Sequence, residues 1–380
     1  MIERAPNKRL QDLDVLIILI VFFLAVISVV MVSSASRVNL TGDPAYFYIR
    51  QAFWFMIGLI VMFLVIRIDY AEYCQHWKWL YGFGVGMLML LSIAGHAANG
   101  AKSWFQLGPV KLEPAELMKI ILILVLARLL QDAKTSTSFV HFLKTLVLIL
   151  LPICLVILQP DLGTAMMMSS IACGMIWAAG IPRRYLLILF SLAGAGISSL
   201  SMLYFARKDW FFSIVHPYQW ERLTMFLDPE GGKTGAGYQL YQSLLAIGAG
   251  QIWGEGIFRG VQTQGAWIPE RHTDFIFSVI AEELGFAGAG LLLLSYFVLL
   301  IRMIKIGREA REPMGSLIVA GVLSMFLAQV FENVGMTMSL TPITGITLPL
   351  MSYGGSSILS SMLAIGLVLN VGYRRKKIRF

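Results

Sequence analysis

Apolar runs close to the roughly 20 residues needed to cross a hydrocarbon core recur along the whole chain, and no other feature restricts its fold as strongly. In lipid, backbone polar groups have no water to bond, so an isolated apolar run of this length folds as a helix. Ten candidate spans can be marked, at 15–34, 53–66, 79–94, 115–130, 142–158, 163–180, 185–204, 275–301, 315–338 and 345–371. Composition agrees: 57% of the 380 residues are hydrophobic, only 14% are charged, and the mean hydropathy is +0.74, beyond the apolar share of soluble domains. The expected class is an all-α polytopic integral membrane protein with ten transmembrane helices. It forms one membrane domain over 1–380, with a long extracytoplasmic loop, 205–273, between spans seven and eight. The first span is too long and too weakly equipped with a small-residue cleavage site for a typical removed signal peptide, and further spans follow it, so it reads as an anchor.

Lys and Arg number 30 against 22 Asp and Glu, a net charge of +8. Nucleic-acid binding would gather these cations on one aqueous face; here they punctuate apolar segments, and no nucleic-acid partner is expected. Allotting them to alternating sides puts 19 with the N-terminus, 10 opposite, and Lys119 inside the fourth span. Six of the opposing 10 lie in the long loop, a poor witness for the charge rule, so the short-loop contrast is 19 against 4. Both termini are therefore expected in the cytoplasm, the second marked by Arg374, Arg375, Lys376, Lys377 and Arg379. Cys74, Cys154 and Cys173 sit in a short loop and in apolar runs, which excludes a disulfide framework and fits core packing.

The long loop is not a passive linker. Ten glycines fall between Gly231 and Gly265, interleaved with aromatic residues and single charges. Leu223, Phe226 and Leu227 fall on one helical face with Arg222 beside it, as an interfacial helix requires. Gly248-Ala249-Gly250 and Gly254-Glu255-Gly256 match neither phosphate-binding glycine motif, and no nucleotide cofactor is expected. No internal repeat is apparent, so duplicated transporter halves gain no support.

Ionisable groups inside spans cost about 2.5 to 3.5 kcal/mol each at mid-membrane and call for a paired or hydrated site. Glu116, Lys119, Glu282, Glu283 and Glu332 are the cases. Glu116 and Lys119, three apart, share a helical face; they form either a structural pair or the lining of a wet cavity reached from outside. Trp104, in the preceding loop, offers a sugar-stacking face or an interfacial belt residue. Asp274 is the best single candidate for chemistry. It enters the eighth span at the outer membrane boundary, where a carboxylate either complements the helix dipole or accepts a proton from a sugar hydroxyl, directly or by binding a cation that polarises the hydroxyl or a diphosphate. Ser278 and Glu282 follow it at four and eight residues, a polar stripe read as a hydrated groove, while Glu283 points away. Asp161 occupies a short Pro-Asp turn with a backbone reason of its own. The histidines are dispersed and give no zinc motif. Ser352-Tyr353-Gly354-Gly355-Ser356-Ser357 is a polar, glycine-rich break in the last span that serves close packing or cavity lining, with no nucleophile elbow.

At these residues the sequence resembles the SEDS family of bacterial shape, elongation, division and sporulation proteins, over nearly the whole chain. The matching pieces, in the family's order, are 100–104 with 113–120, 159–164, 227–230, 235–239, 269–277, 281–285, 333–336 and 352–357. Arg271 within Pro269-Glu270-Arg271-His272-Thr273-Asp274 favours the elongation branch over the division branch. The resemblance implies a peptidoglycan glycosyltransferase of the bacterial cytoplasmic (inner) membrane. Its active site is extracytoplasmic and polymerises lipid II during cell-wall elongation and shape maintenance, releasing undecaprenyl diphosphate into the surrounding membrane lipids. A class B penicillin-binding protein transpeptidase and other elongation-complex proteins are the implied partners. Asp274 matches the family's catalytic aspartate, as base or as ligand of a divalent cation (Mg or Mn). Trp104, Glu116 and Lys119 match cavity positions and Arg50 matches less specifically; with Asp161, Arg271 and Thr273 they make the expected substrate-contacting set. Ala249, Gln251 and Glu255 depart from the family's usual Gly-Ser-Gly-Gly and following Lys, and Ser339 replaces a common Gly. Two other readings use the same features: a flippase or secondary transporter for a lipid-linked precursor, and a non-catalytic scaffold for wall enzymes.

Overall fold

The computed structural model describes residues 13–38, 45–94, 96–98, 101–107, 110–132, 139–215, 217–227 and 235–375. Gly100, Asp228, Pro229, Glu230, Lys376, Lys377 and Arg379, singled out above, lie outside them. The first half runs α1 (Val15–Ala35), α2 (Tyr46–Arg67), the short α3 (Tyr70–Gln75), α4 (Trp77–Ala94), three strands, α5 (Pro114–Leu130), α6 (Phe139–Ile157), α7 (Leu162–Ala178) and α8 (Arg183–Ala206). The long loop folds into α9 (Lys208–Ile214), α10 (Pro217–Thr224), α11 (Gly235–Ala249) and α12 (Val261–Gln264). The chain ends with α13 (Ile276–Arg308), α14 (Pro313–Thr337) and α15 (Gly355–Tyr373). Helices α1, α2, α6, α13, α14 and α15 are long and apolar enough to cross a membrane, and α4, α7 and the second half of α8 supply shorter apolar stretches. The molecule is a polytopic helical membrane protein.

Two expectations are corrected. The fold is not purely helical: β1 (His96–Ala98), β2 (Ala101–Leu107) and β3 (Val110–Leu112) form an antiparallel sheet in the order β1-β2-β3, with Trp104 opposite His96 and Phe105 opposite Leu112. The last helix begins at Gly355, ten residues later than the hydropathy suggests. Ile346, Leu348, Leu350 and Met351 are apolar because they are buried, yet their backbone is irregular, with Gly345 at φ +76 and Leu350 at φ +62.

Local chemistry sets the helix ends. Asp14 caps α1 by accepting from the Ile17 amide and is held by Arg302 at 2.6 Å. Pro114 and Pro313 occupy the first turns of α5 and α14, where a missing N–H costs nothing, and Asp161 caps α7 through the Thr164 amide at 2.9 Å. Small residues let helices approach closely: a β-carbon on Gly366 would lie 3.0 Å from the Met62 carbonyl, and one on Gly58 would press on Met362, which seats α15 against α2. More than half of the residues in each of α5, α14 and α15 are buried, and these helices form the centre. Helix α8 stands at the edge, with Leu187, Met202 and Phe205 exposed.

Candidate active site at the start of α13

The segment leading into α13 is held by its backbone from three directions. The Tyr353 amide donates to the His272 carbonyl at 2.9 Å, the Ser352 hydroxyl to the Thr273 carbonyl at 2.6 Å, and the Asn333 amide group to the Asp274 carbonyl at 2.7 Å. Asn333 also donates to Ile346 at 2.7 Å, and Ser352 accepts from the Leu348 amide at 2.8 Å. The polar break at 352–357, ambiguous in sequence, is thus the brace of the Asp274 segment. Gln51 extends the brace to α2, donating to Ser28 and to the Ser352 carbonyl.

With its backbone fixed, Asp274 is a half-buried residue closely surrounded by protein. Burial first, then Glu270, push its carboxyl up to about 7; Arg222 pulls the other way and Asp161 adds a smaller push. Gly345 makes room for this meeting: a β-carbon there would lie 3.0 Å from Arg222 Nη1 and 3.3 Å from Asp274 Oδ2. The Ile343 amide bonds the Arg222 carbonyl, tying α10 to the same loop. Burial also raises Asp161, against the Thr164 bonds and Lys119. Glu113 is pushed well above the carboxylate range by burial, Glu116 and Asp161. These carboxylates feel one another's charge, so Asp161, Glu113 and Asp274 share one electrostatic site. Among the described residues, no three His, Cys, Asp or Glu side chains gather as a metal cage.

The other expected residues sort by position. Lys119 bonds Glu116 at 2.8 Å, Ser360 donates to the second Glu116 oxygen at 2.5 Å, and the pair is 1% and 5% exposed. It is packed between α5 and α15 and does not line an open wet cavity. Trp104 is half-buried, with Lys111 Nζ 5.2 Å from its ring centre. Arg50 lies 3.9 Å over the Tyr46 ring and bonds the Tyr353 phenol. Arg271 is buried and donates to the carbonyls of Ala35 at 2.6 Å, Val38 at 2.5 Å and Ile268 at 3.2 Å; its guanidinium is engaged with backbone. The Thr273 hydroxyl donates to Glu270 at 2.9 Å.

The stripe descending from Asp274 is not a hydrated groove. Ser278 and Glu282 are fully buried; Ser278 meets Ser243 of α11, and Glu282 accepts from the Gln262 amide and from the amide and hydroxyl of Thr263. The interfacial helix at 222–227 is also corrected. Met225–Leu227 tightens into a 3-10 turn, which changes the angular period, so Phe226 packs inward against Leu240, Phe275 and Ile343 while Leu227 is exposed. Sequence reasoning missed the approach of Arg222 to Asp274 and the brace by Asn333. Asn333 stood in the matching stretch 333–336 without a role of its own, because an amide in an apolar span is not ionisable.

Fold and site together define a polytopic helical membrane protein with a braced, half-buried aspartate at one end of its helices. The chain belongs to the FtsW/RodA/SpoVE family of cell cycle proteins, whose family model matches residues 13–377. It is 34% identical over 375 residues to the peptidoglycan glycosyltransferase MrdB of Escherichia coli (strain K12), covering 98% of this chain and 97% of that protein. A chain of a solved peptidoglycan synthase complex that coordinates polymerization and crosslinking superposes with a TM-score of 0.78 at 31% identity, covering 95% of this chain and 97% of that one. The crystal structure of the rod shape determining protein RodA of Thermus thermophilus gives 0.69 at 30% identity, over 96% and 98%.

Proposed function

We propose that the chain is a peptidoglycan glycosyltransferase that polymerises lipid II into glycan strands during cell-wall elongation, with Asp274 as its base. The observation that carries this reading is Asp274: braced by its backbone, half-buried, and pushed up to about 7 by burial, where a general base works best near neutral pH. The acceptor's 4-hydroxyl loses its proton to Asp274 as its oxygen bonds the donor's anomeric carbon. The bond from that carbon to the diphosphate breaks, and undecaprenyl diphosphate leaves with the electron pair. Arg222 faces the same point and offsets the charge of the diphosphate. Trp104 provides an aromatic face for a sugar ring, Asp161 and the Glu116–Lys119 pair set the field beneath it, and Arg50, Arg271 and Thr273 position the segments around Asp274 rather than touching substrate. A divalent cation, if resident, would be held by Asp274 together with substrate phosphate oxygens, since Mg²⁺ commonly takes one or two carboxylates plus phosphates; it would polarise the leaving group.

Ten membrane crossings, by α1, α2, α4 to α8 and α13 to α15, complete this reading, with the stretch from α9 to α12 on the outer side. Cytoplasmic termini are supported by the basic residues at the end opposite Asp274, where Arg302 pairs with Asp14 and Arg375 with Glu309. A class B penicillin-binding protein is the proposed partner, in line with the synthase complex that the chain resembles. The test is polymerisation of purified lipid II by the full chain with that partner. Asp274→Asn, at matched folding and complex formation, is expected to lose about 10²- to 10⁴-fold in rate; undiminished polymer would refute the assignment.

A further inference from the structure

Helix α13 is interrupted at Gly285, whose φ of +65 and ψ of −168 lie outside helical space. A continuous helix would bond the amides of Phe286 and Ala287 to the carbonyls of Glu282 and Glu283. Those four groups bond instead to the turn that follows α11. Phe286 donates to the Gln251 carbonyl at 2.8 Å and Ala287 to that of Ile252 at 3.0 Å, while Glu255 and Gly256 donate to Glu282 and Glu283, each at 3.0 Å. Glycine is required for the approach, because β-carbons on Gly250, Gly254 or Gly285 would overlap the facing backbone. The return limb is fastened by the two acids in the helix: Glu282 holds the first amides of α12, and Glu283 accepts from Ser34 at 2.6 Å and Gln264 at 3.3 Å.

This exchange sets the depth of the turn. Glu283 bonds Ser34, the last residue of the first apolar span, at 2.6 Å, and Phe286 lies three residues further along α13, so the turn bonded to Phe286 and Ala287 reaches about 5 Å inside that boundary. At the tip of the turn two apolar side chains are exposed, Ile252 by 60% and Trp253 by 82%, flanked by Gln251 and Glu255. They adjoin Phe286, exposed by 76%, which begins a stripe continued by Leu294, Phe297 and Ile301 along α13, the spacing of one helical face. Irregular backbone is tolerated at membrane depth only where protein satisfies it, and the four-bond exchange does so.

We propose that 235–264 is a re-entrant hairpin whose tip, Ile252 and Trp253, is immersed in the acyl chains of the leaflet at the Asp274 end. Gly250 and Gly254, which belong to no phosphate-binding motif, serve this insertion. Because the hairpin and Asp274 share the first half of α13, lipid contact at the tip fixes the height of Asp274 at the membrane boundary.

The test is power-saturation electron paramagnetic resonance of a nitroxide at Trp253→Cys, and separately at Ile252→Cys. It uses the full chain with Cys74, Cys154 and Cys173 replaced by Ala, in phosphatidylethanolamine and phosphatidylglycerol vesicles. Both positions are exposed, so labelling leaves the packed interior intact. Labels at Leu294→Cys and Arg311→Cys give the lipid and aqueous references. Immersion predicts that oxygen relaxes the tip labels more than a water-soluble nickel chelate does, as at position 294. Nickel access equal to that at position 311 would overturn the proposal. Low access to both reagents would overturn the acyl-chain occupant in favour of a protein surface, such as a second copy.

Discussion

Asp274 carries two opposed demands. A carboxyl held at about 7 in the folded chain, against about 3.9 when unfolded, binds a proton between those limits that the unfolded chain has lost. Its contribution to stability is full below about 4 and declines as pH rises through about 7. Asp274→Asn has no charge to bury, so its melting temperature is expected to exceed that of the parent at pH ~8, with the difference closing at pH ~5; thermal unfolding in detergent at both values checks this. Gly345→Ala is expected to lower turnover, because its β-carbon would enter at 3.0 Å from Arg222 and 3.3 Å from Asp274 with φ at +76. The polymerisation rate measures that loss, and unchanged turnover would show that the approach of Arg222 is immaterial. Asn333→Ala removes two bonds from a fully buried amide, an expected cost of about 1–3 kcal/mol. Turnover should fall more than lipid II binding, since the variant frees the Asp274 backbone without touching substrate.

At the scale of elements, α5 and α15 are joined by a charge pair with a hydroxyl on its second oxygen. Lys119→Met leaves Glu116 buried with Ser360 as its remaining bonded partner, and breaking such a pair costs about 3–5 kcal/mol. Glu116→Gln with Lys119→Met is expected to recover most of that loss; equal melting temperatures for the single and double variants would contradict the account. Much at this scale was legible in sequence. Glu116 and Lys119 at three residues' spacing announced their pair, and Asp274 stood out because a carboxylate beginning an apolar span is costly unless used. Periodicity gave the faces of elements and not their neighbours, so Ser278 and Glu282 were correctly aligned with Asp274 but assigned to water, when α11 and α12 cover them. Hydropathy likewise read 345–354 as helix, because burial and membrane crossing select the same side chains, while Gly345 and the bonds of Ser352 hold that stretch irregular.

Across the whole molecule, the site is assembled from segments remote in sequence: α5, the cap of α7, α10, the start of α13, Asn333 of α14 and the loop before α15. Arg222 therefore gave no local sign of its place beside Asp274. Whether Asp274 acts as the base is read most directly from the pH dependence of lipid II polymerisation, measured as kcat/KM for the chain with the proposed transpeptidase partner. The account predicts that the rate falls on the acid side with a midpoint at about 7, and that Asp274→Glu moves that midpoint. A profile flat from about pH 5.5 to 8, or an acid limb unmoved in Asp274→Glu, would contradict it.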